Sequence, residues 1–104
     1  MMLSTTDTIA GKTIVKHLGL ARGNTIRARN VGRDILAGLR NLVGGEIAEY
    51  TKLMGESREQ AMDRMLEEAR RLGANAIVGV RFSTSEVMTH AAEILVYGTA
   101  VVVE

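Results

Sequence analysis

The sequence predicts an α+β domain in which one long helix covers a small sheet, and three observations predict it. Residues 46–72 carry a helical stripe: Ile47, Tyr50, Met54, Ala61, Met65 and Leu72 fall at steps of three, four or seven, and Met62, Leu66 and Ala69 widen it. A β-branched run at 13–21 precedes that stripe, and two apolar runs at 74–82 and 94–103 follow it. At 104 residues the chain is one domain, 1–104, that buries roughly 60–65% of its unfolded surface.

Taken in order, residues 13–21 read as a strand that ends at the turn signal Arg22-Gly23-Asn24. Residues 25–29 then form a short partner strand and close a hairpin. Asn30 is placed to cap a short helix whose apolar positions are Val31, Ile35, Leu36, Leu39, Leu42 and Val43, and Gly44-Gly45 ends it. The long helix follows. Ser57 with Gln60 has the form of a capping box, but the stripe keeps its phase across Gly55, so a single helix is expected. Glu46 and Glu49 near its start and Arg70 and Arg71 near its end complement the helix dipole, and Gly73 stops it. Strands at 74–82 and 94–103 are joined by a polar connector at 83–90.

The last strand is apolar on both faces, with Ile94, Val96, Gly98, Ala100 and Val102 on one and Leu95, Tyr97, Thr99, Val101 and Val103 on the other. One helix covers only one side of a small sheet. With 46% hydrophobic residues in so short a chain, burial against copies of itself is the expected solution, which makes the partner a second copy of this chain.

Composition excludes several functions. The chain has no Cys, which removes disulfides, thiolate zinc sites, iron–sulfur clusters and cysteine nucleophiles. A net charge of +1 with one Phe, two Tyr and no Trp argues against nucleic acid as a partner. The run at 94–103 is too short to span a bilayer, no apolar leader precedes Ala10, and a soluble cytoplasmic protein without a membrane partner is expected. The net charge hides a division, however. Residues 1–45 carry a surplus of five positive charges and residues 46–104 a surplus of four negative ones, a division that suits an anion site, a basic arm or two surfaces that meet in an assembly.

Candidates for chemistry are few. Metal ligands reduce to His17, His90 and Glu93, none in a recognised ligand spacing, so no metal or other cofactor is implied by the residues. No Ser, His and acid stand in a nucleophile frame, and Glu56, Glu59, Asp63, Glu67 and Glu68 interleave with arginines as a wet helix face does. No catalytic residue is assigned. Arg27, Arg29, Asn30, Arg33, Asp34 and Arg40 gather at the strand–helix junction, where they suit either ion pairing between subunits or a small anionic ligand.

The order of short motifs resembles the YbjQ-like family, small bacterial and archaeal proteins that carry a heavy-metal-binding label. The marks are Ser4-Thr5-Thr6, Gly11 with Ile14-Val15, Gly19, Asn30-Val31 with Arg33-Asp34, Arg40, Val43-Gly44-Gly45, Tyr50, Ala69, Leu72-Gly73-Ala74-Asn75-Ala76 and Gly98-Thr99-Ala100-Val101. The resemblance covers nearly the whole chain. It implies a dodecin-like β-α-β-β core, a three-stranded antiparallel sheet on one long helix, with an extra N-terminal strand or hairpin and a short helix. It also implies a ring-shaped homopentamer, in which Asn30, Arg33, Asp34, Arg40 and Tyr50 build the subunit interface or line a polar site there. The family's biochemical role is unsettled, and its metal label has no defined ligand set. Many relatives carry acids where this chain has Arg81 and Ser83, and an aromatic residue where it has Gly32. His90 matches no motif of the family.

The residues therefore lead to a non-catalytic homo-oligomeric module for binding or assembly. A divalent or heavy-metal-binding protein and a small-anion or metabolite binder at the arginine-rich junction are the alternatives.

Overall fold

The computed structural model describes residues 1–28, 48–88 and 91–104. Its elements are β1 (Met2–Leu3), β2 (Ile14–Ala28), α1 (Ala48–Leu72), β3 (Ala76–Met88) and β4 (Ala91–Val103). The expected helix-on-sheet α+β architecture is present. The sheet is four-stranded in the order β1-β3-β4-β2, and it is mixed, because β1 runs parallel to β3 while β2 and β3 both pair antiparallel with β4. The expected three-stranded antiparallel sheet thus gains a parallel fourth strand at its edge. The described chain measures 54 × 24 × 16 Å, as one helix layer on one sheet requires.

The hairpin expected over 13–29 is not formed among the described residues. β2 runs unbroken from Ile14 to Ala28, straight through Arg22-Gly23-Asn24. Gly23 is there for space and not for turning: a Cβ at this position would lie 2.1 Å from the Ala61 carbonyl and 2.5 Å from the Met65 nitrogen. Helix and strand backbones approach so closely because the buried seam of α1, Ser57, Ala61, Met65 and Ala69, is built mostly of small residues. Around that seam Ala21, Ile77, Val80, Ile94, Val96 and Ala100 complete the main core. The hydrophobic contacts among them are what fix the sheet's register, since a one-residue slip would turn this set away from the helix.

The single long helix is confirmed through Gly55, and its end follows from the backbone. Gly73 takes φ +87°, its N–H donates to the Arg70 carbonyl and that of Ala74 to the Ala69 carbonyl. This is a Schellman ending, which needs the left-handed residue that glycine supplies at least cost. Leu72, expected in the stripe, is 41% exposed at this last turn. Asn75 then stands in for a strand: its side-chain amide donates to the Val103 carbonyl at 2.9 Å and accepts from the Val103 N–H at 2.8 Å.

The polar connector expected at 83–90 is instead strand as far as Met88, in register with 91–95 of β4. β4 correspondingly starts at Ala91 and not at 94. Among the described residues the far side of the sheet is covered at one end only. There Ala76, Val78, Val101 and Val103 pack with Ile9 and Ile14 of the N-terminal segment. That segment is strapped to β3 by N–H groups of Gly79 and Val80, which donate to the carbonyls of Thr6 and Ser4, and by the Arg81 guanidinium on the Thr5 carbonyl. The Ser4-Thr5-Thr6 motif serves this strap.

Candidate functional site

The sequence-predicted site residues separate into three groups. Asn30, Arg33, Asp34, Arg40 and His90 lie outside the described residues, as does the short helix expected from Asn30. Tyr50 lies in the first turn of α1. His17, Arg27 and Glu93 are placed.

His17 and Glu93 are far apart. His17 is in register with Val101 and Glu93 with Ile26, at opposite ends of β4. Eight residues of strand separate their rows, a distance of about 27 Å at about 3.4 Å per residue. They cannot share one ion within a chain. Glu93 instead accepts from the Asn24 side-chain amide at 3.2 Å. His17 is exposed, next to an irregularity between His17 and Gly19. That irregularity breaks the alternation that would put His17 on one face with Ala21: Ala21 faces the helix, whereas His17 shares its row with Val101 on the other side. Among the described residues no three His, Asp or Glu side chains gather as a metal site would need.

Arg27 is the one member of the arginine cluster whose partners are visible. Its Nε donates to the Ser57 hydroxyl at 2.9 Å and its Nη2 to the Gln60 amide oxygen. Ser57, fully buried, donates in turn to the Leu53 carbonyl at 2.8 Å, and the Thr25 hydroxyl reaches the Ser57 carbonyl at 3.2 Å. The pair read from sequence as a capping box is thus a strand-to-helix polar bridge. Outside it lies a shallow open hollow lined by Arg27, Lys52 and Arg58 together with Glu56, Glu59 and Asp63. Three bases and three acids leave it no net charge, so it holds no electrostatic bias toward an anion. Arg64 donates to the Asn24 carbonyl of β2, and on the exposed face of the helix Arg71 and Glu67 pair at 3.2 Å in the i,i+4 spacing.

What the described surface does offer is exposed hydrocarbon. Leu20 and Ile26 of β2 and Phe82, Val87 and Met88 of β3 are exposed, and so is Tyr97 of β4. Leu20, Ile26 and Tyr97 stand on the side of the sheet away from α1, in rows with Thr99, Glu93 and Arg81. Phe82 faces the helix side, but α1 packs chiefly over β2 and β4 and leaves it uncovered. Sequence reasoning found the apolar face of β4 and placed Phe82 at the end of a strand; it missed Val87 and Met88, which read as a connector.

Comparison with known proteins places these features. A family model described as "Putative heavy-metal-binding" and named YbjQ_1 matches residues 1–104. A "UPF0145 protein" of Methanosarcina acetivorans is 60% identical over 101 residues, covering 97% of this chain and 95% of its own. One of Dehalococcoides mccartyi is 59% identical over 104 residues and covers both chains completely. One of Thermus thermophilus is 55% identical, covering all of this chain and 91% of its own. A crystal structure of a protein of unknown function from Pediococcus pentosaceus, assigned to the DUF74 family, superposes with a TM-score of 0.71 at 17% identity over 100% of this chain and 98% of its own. That likeness supports the fold alone.

Proposed function

The chain belongs to the YbjQ-like family, and from that premise we propose that it is a non-catalytic homo-oligomeric module that works by binding or assembly in the cytoplasm. Its form is the pentameric ring on a dodecin-like core that the family resemblance implies. The observation that carries this reading is the uncovered hydrocarbon of Leu20, Ile26, Phe82, Val87, Met88 and Tyr97 on a chain this short. Six large apolar side chains left exposed at one end of a small sheet favour a partner, and copies of the same chain are the partner always present at the right concentration. Light scattering tests it: a mass that is a whole multiple of the chain is expected, and a stable monomer would end the reading.

The family's metal description favours a second reading, a divalent or heavy-metal-binding protein. Within one chain His17 and Glu93 stand too far apart to ligate together, so a site that uses either needs a residue of another copy or one outside the described segments. Elemental analysis of purified protein and calorimetric titration with divalent metals decide the matter. The metal reading expects binding tighter than about millimolar, and weaker binding removes it.

A further inference from the structure

Resting on the homo-oligomer reading, we infer that copies join edge to edge into one continuous sheet, with residues 20–28 of β2 pairing in parallel with residues 82–88 of β3 in the next copy. Among the described residues both stretches are sheet edges: β2 has only β4 beside it, and β3 beyond the Ser4–Thr6 strap likewise has only β4. A regular edge strand offers main-chain groups to another strand. Among the described residues each edge is both regular and unpaired over one half only. β2 is irregular between Ile14 and Lys16 and between His17 and Gly19, then regular from Gly19 to Ala28. Among the described residues β3 is occupied by β1 and the strap up to Val80 and unpaired on that edge beyond it.

The open halves are at the same level. Arg22, Tyr97 and Arg81 form one cross-strand row, and Arg27, Ala92 and Glu86 another. Since β2 and β3 both run antiparallel to β4, a neighbour added with its helix on the same side presents its β2 parallel to β3, row for row. Side chains and charge agree with this. The edge at 20–28 carries Arg22 and Arg27 as its only charges and the edge at 82–88 carries only Glu86, so the signs are opposite. Phe82 lies in the row of Val96 and Gly23, and Gly23 is where α1 crosses closest to β2. A neighbour's β2 laid beside β3 therefore brings that neighbour's helix over the uncovered Phe82 ring. The Arg64 guanidinium holds the Asn24 carbonyl at 2.6 Å in the single chain, and pairing shares or displaces that bond. Because the two edges differ, the contact is head-to-tail and closes into a ring when its rotation permits.

Two lysine variants test the junction, each at a position already exposed in the single chain. Phe82→Lys spoils the β3 edge and Ile26→Lys spoils the β2 edge. Light scattering should show the wild-type chain as an oligomer and each variant as a single chain, with circular dichroism confirming the folded content. Mixed in equal amounts, the two should give one-to-one dimers, since one intact β3 edge meets one intact β2 edge. Amide exchange on the wild-type oligomer supplies a readout free of substitutions: both 20–28 and 82–88 should be slowed at least tenfold on going from dilute to concentrated protein. A monomeric wild-type chain would overturn the oligomer reading itself. A wild-type oligomer whose size survives both substitutions, or whose edge amides exchange at one rate at all concentrations, would overturn only the edge-to-edge junction.

Discussion

The two ends of the sheet are built differently. At the end that holds Ala76–Val80 and Gly98–Val103, α1 covers one face, Ile9 and Ile14 close the other, and β1 with its strap seals the β3 edge. At the end that holds 20–28, 82–88 and 91–97, the helix covers part of one face, and apolar side chains of all three strands meet water. The first region is a finished core; the second has the hydrocarbon of a core without the cover. On the proposed homo-oligomer reading, the difference puts the chain's stability and its assembly in separate places, and substitutions should therefore separate them.

The largest expected effect is in the finished region. Gly23→Val forces a side chain into the backbone of Ala61 and Met65 and should cost about 3 kcal/mol or more, read by denaturant unfolding of the dilute protein. Met65→Ala, at a fully buried position, should cost about 3 kcal/mol in the same measurement. Next comes Asn75→Ala, which strips the Val103 N–H and carbonyl of their stand-in strand and should cost about 1.5 kcal/mol. Phe82→Ala lies at the other end of the scale and of the sheet: about 0.5 kcal/mol or less at dilution, where an exposed ring stabilises little, but a clear loss of mass by light scattering. Equal costs for Met65→Ala and Phe82→Ala at dilution would erase the comparison. The smallest effect is salt. If the basic surface of residues 1–45 meets the acidic surface of residues 46–104 between copies, raising ionic strength several-fold should weaken assembly modestly; indifference to salt would assign assembly to the apolar edges alone.

Much of the finished region was legible in the sequence, because burial leaves periodicity behind. The stripe from Met54 to Ala69, the stop at Gly73 and the apolar runs of β3 and β4 follow from spacing alone. Two misreadings have physical causes. Arg22-Gly23-Asn24 has the composition of a turn, yet Gly23 is small so that a helix residing forty residues away in sequence can touch it, and nothing local distinguishes the two demands. Residues 83–86 are polar and read as part of a connector, but pairing with Leu95, Ile94, Glu93 and Ala92 holds them extended, and that pairing is not encoded in their own side chains. Ser57 and Gln60 resembled a helix start because a buried hydroxyl that serves Arg27 looks the same in sequence as one that caps.

The candidate site was the least legible part. Of the interface residues named from the family motifs, Asn30, Arg33, Asp34 and Arg40 lie outside the described residues. Arg27 has its partners within the chain. Val87 and Met88 of β3 gave no signal of their own, since the polar residues 83–86 before them read as a connector.

The central claim is that this chain is incomplete alone, and the mass of the native protein in solution tests it most directly. Light scattering at micromolar concentration should give a whole multiple of the single-chain mass, falling toward one chain only on strong dilution. The mass of one chain at every concentration, with the fold intact by circular dichroism, would contradict it.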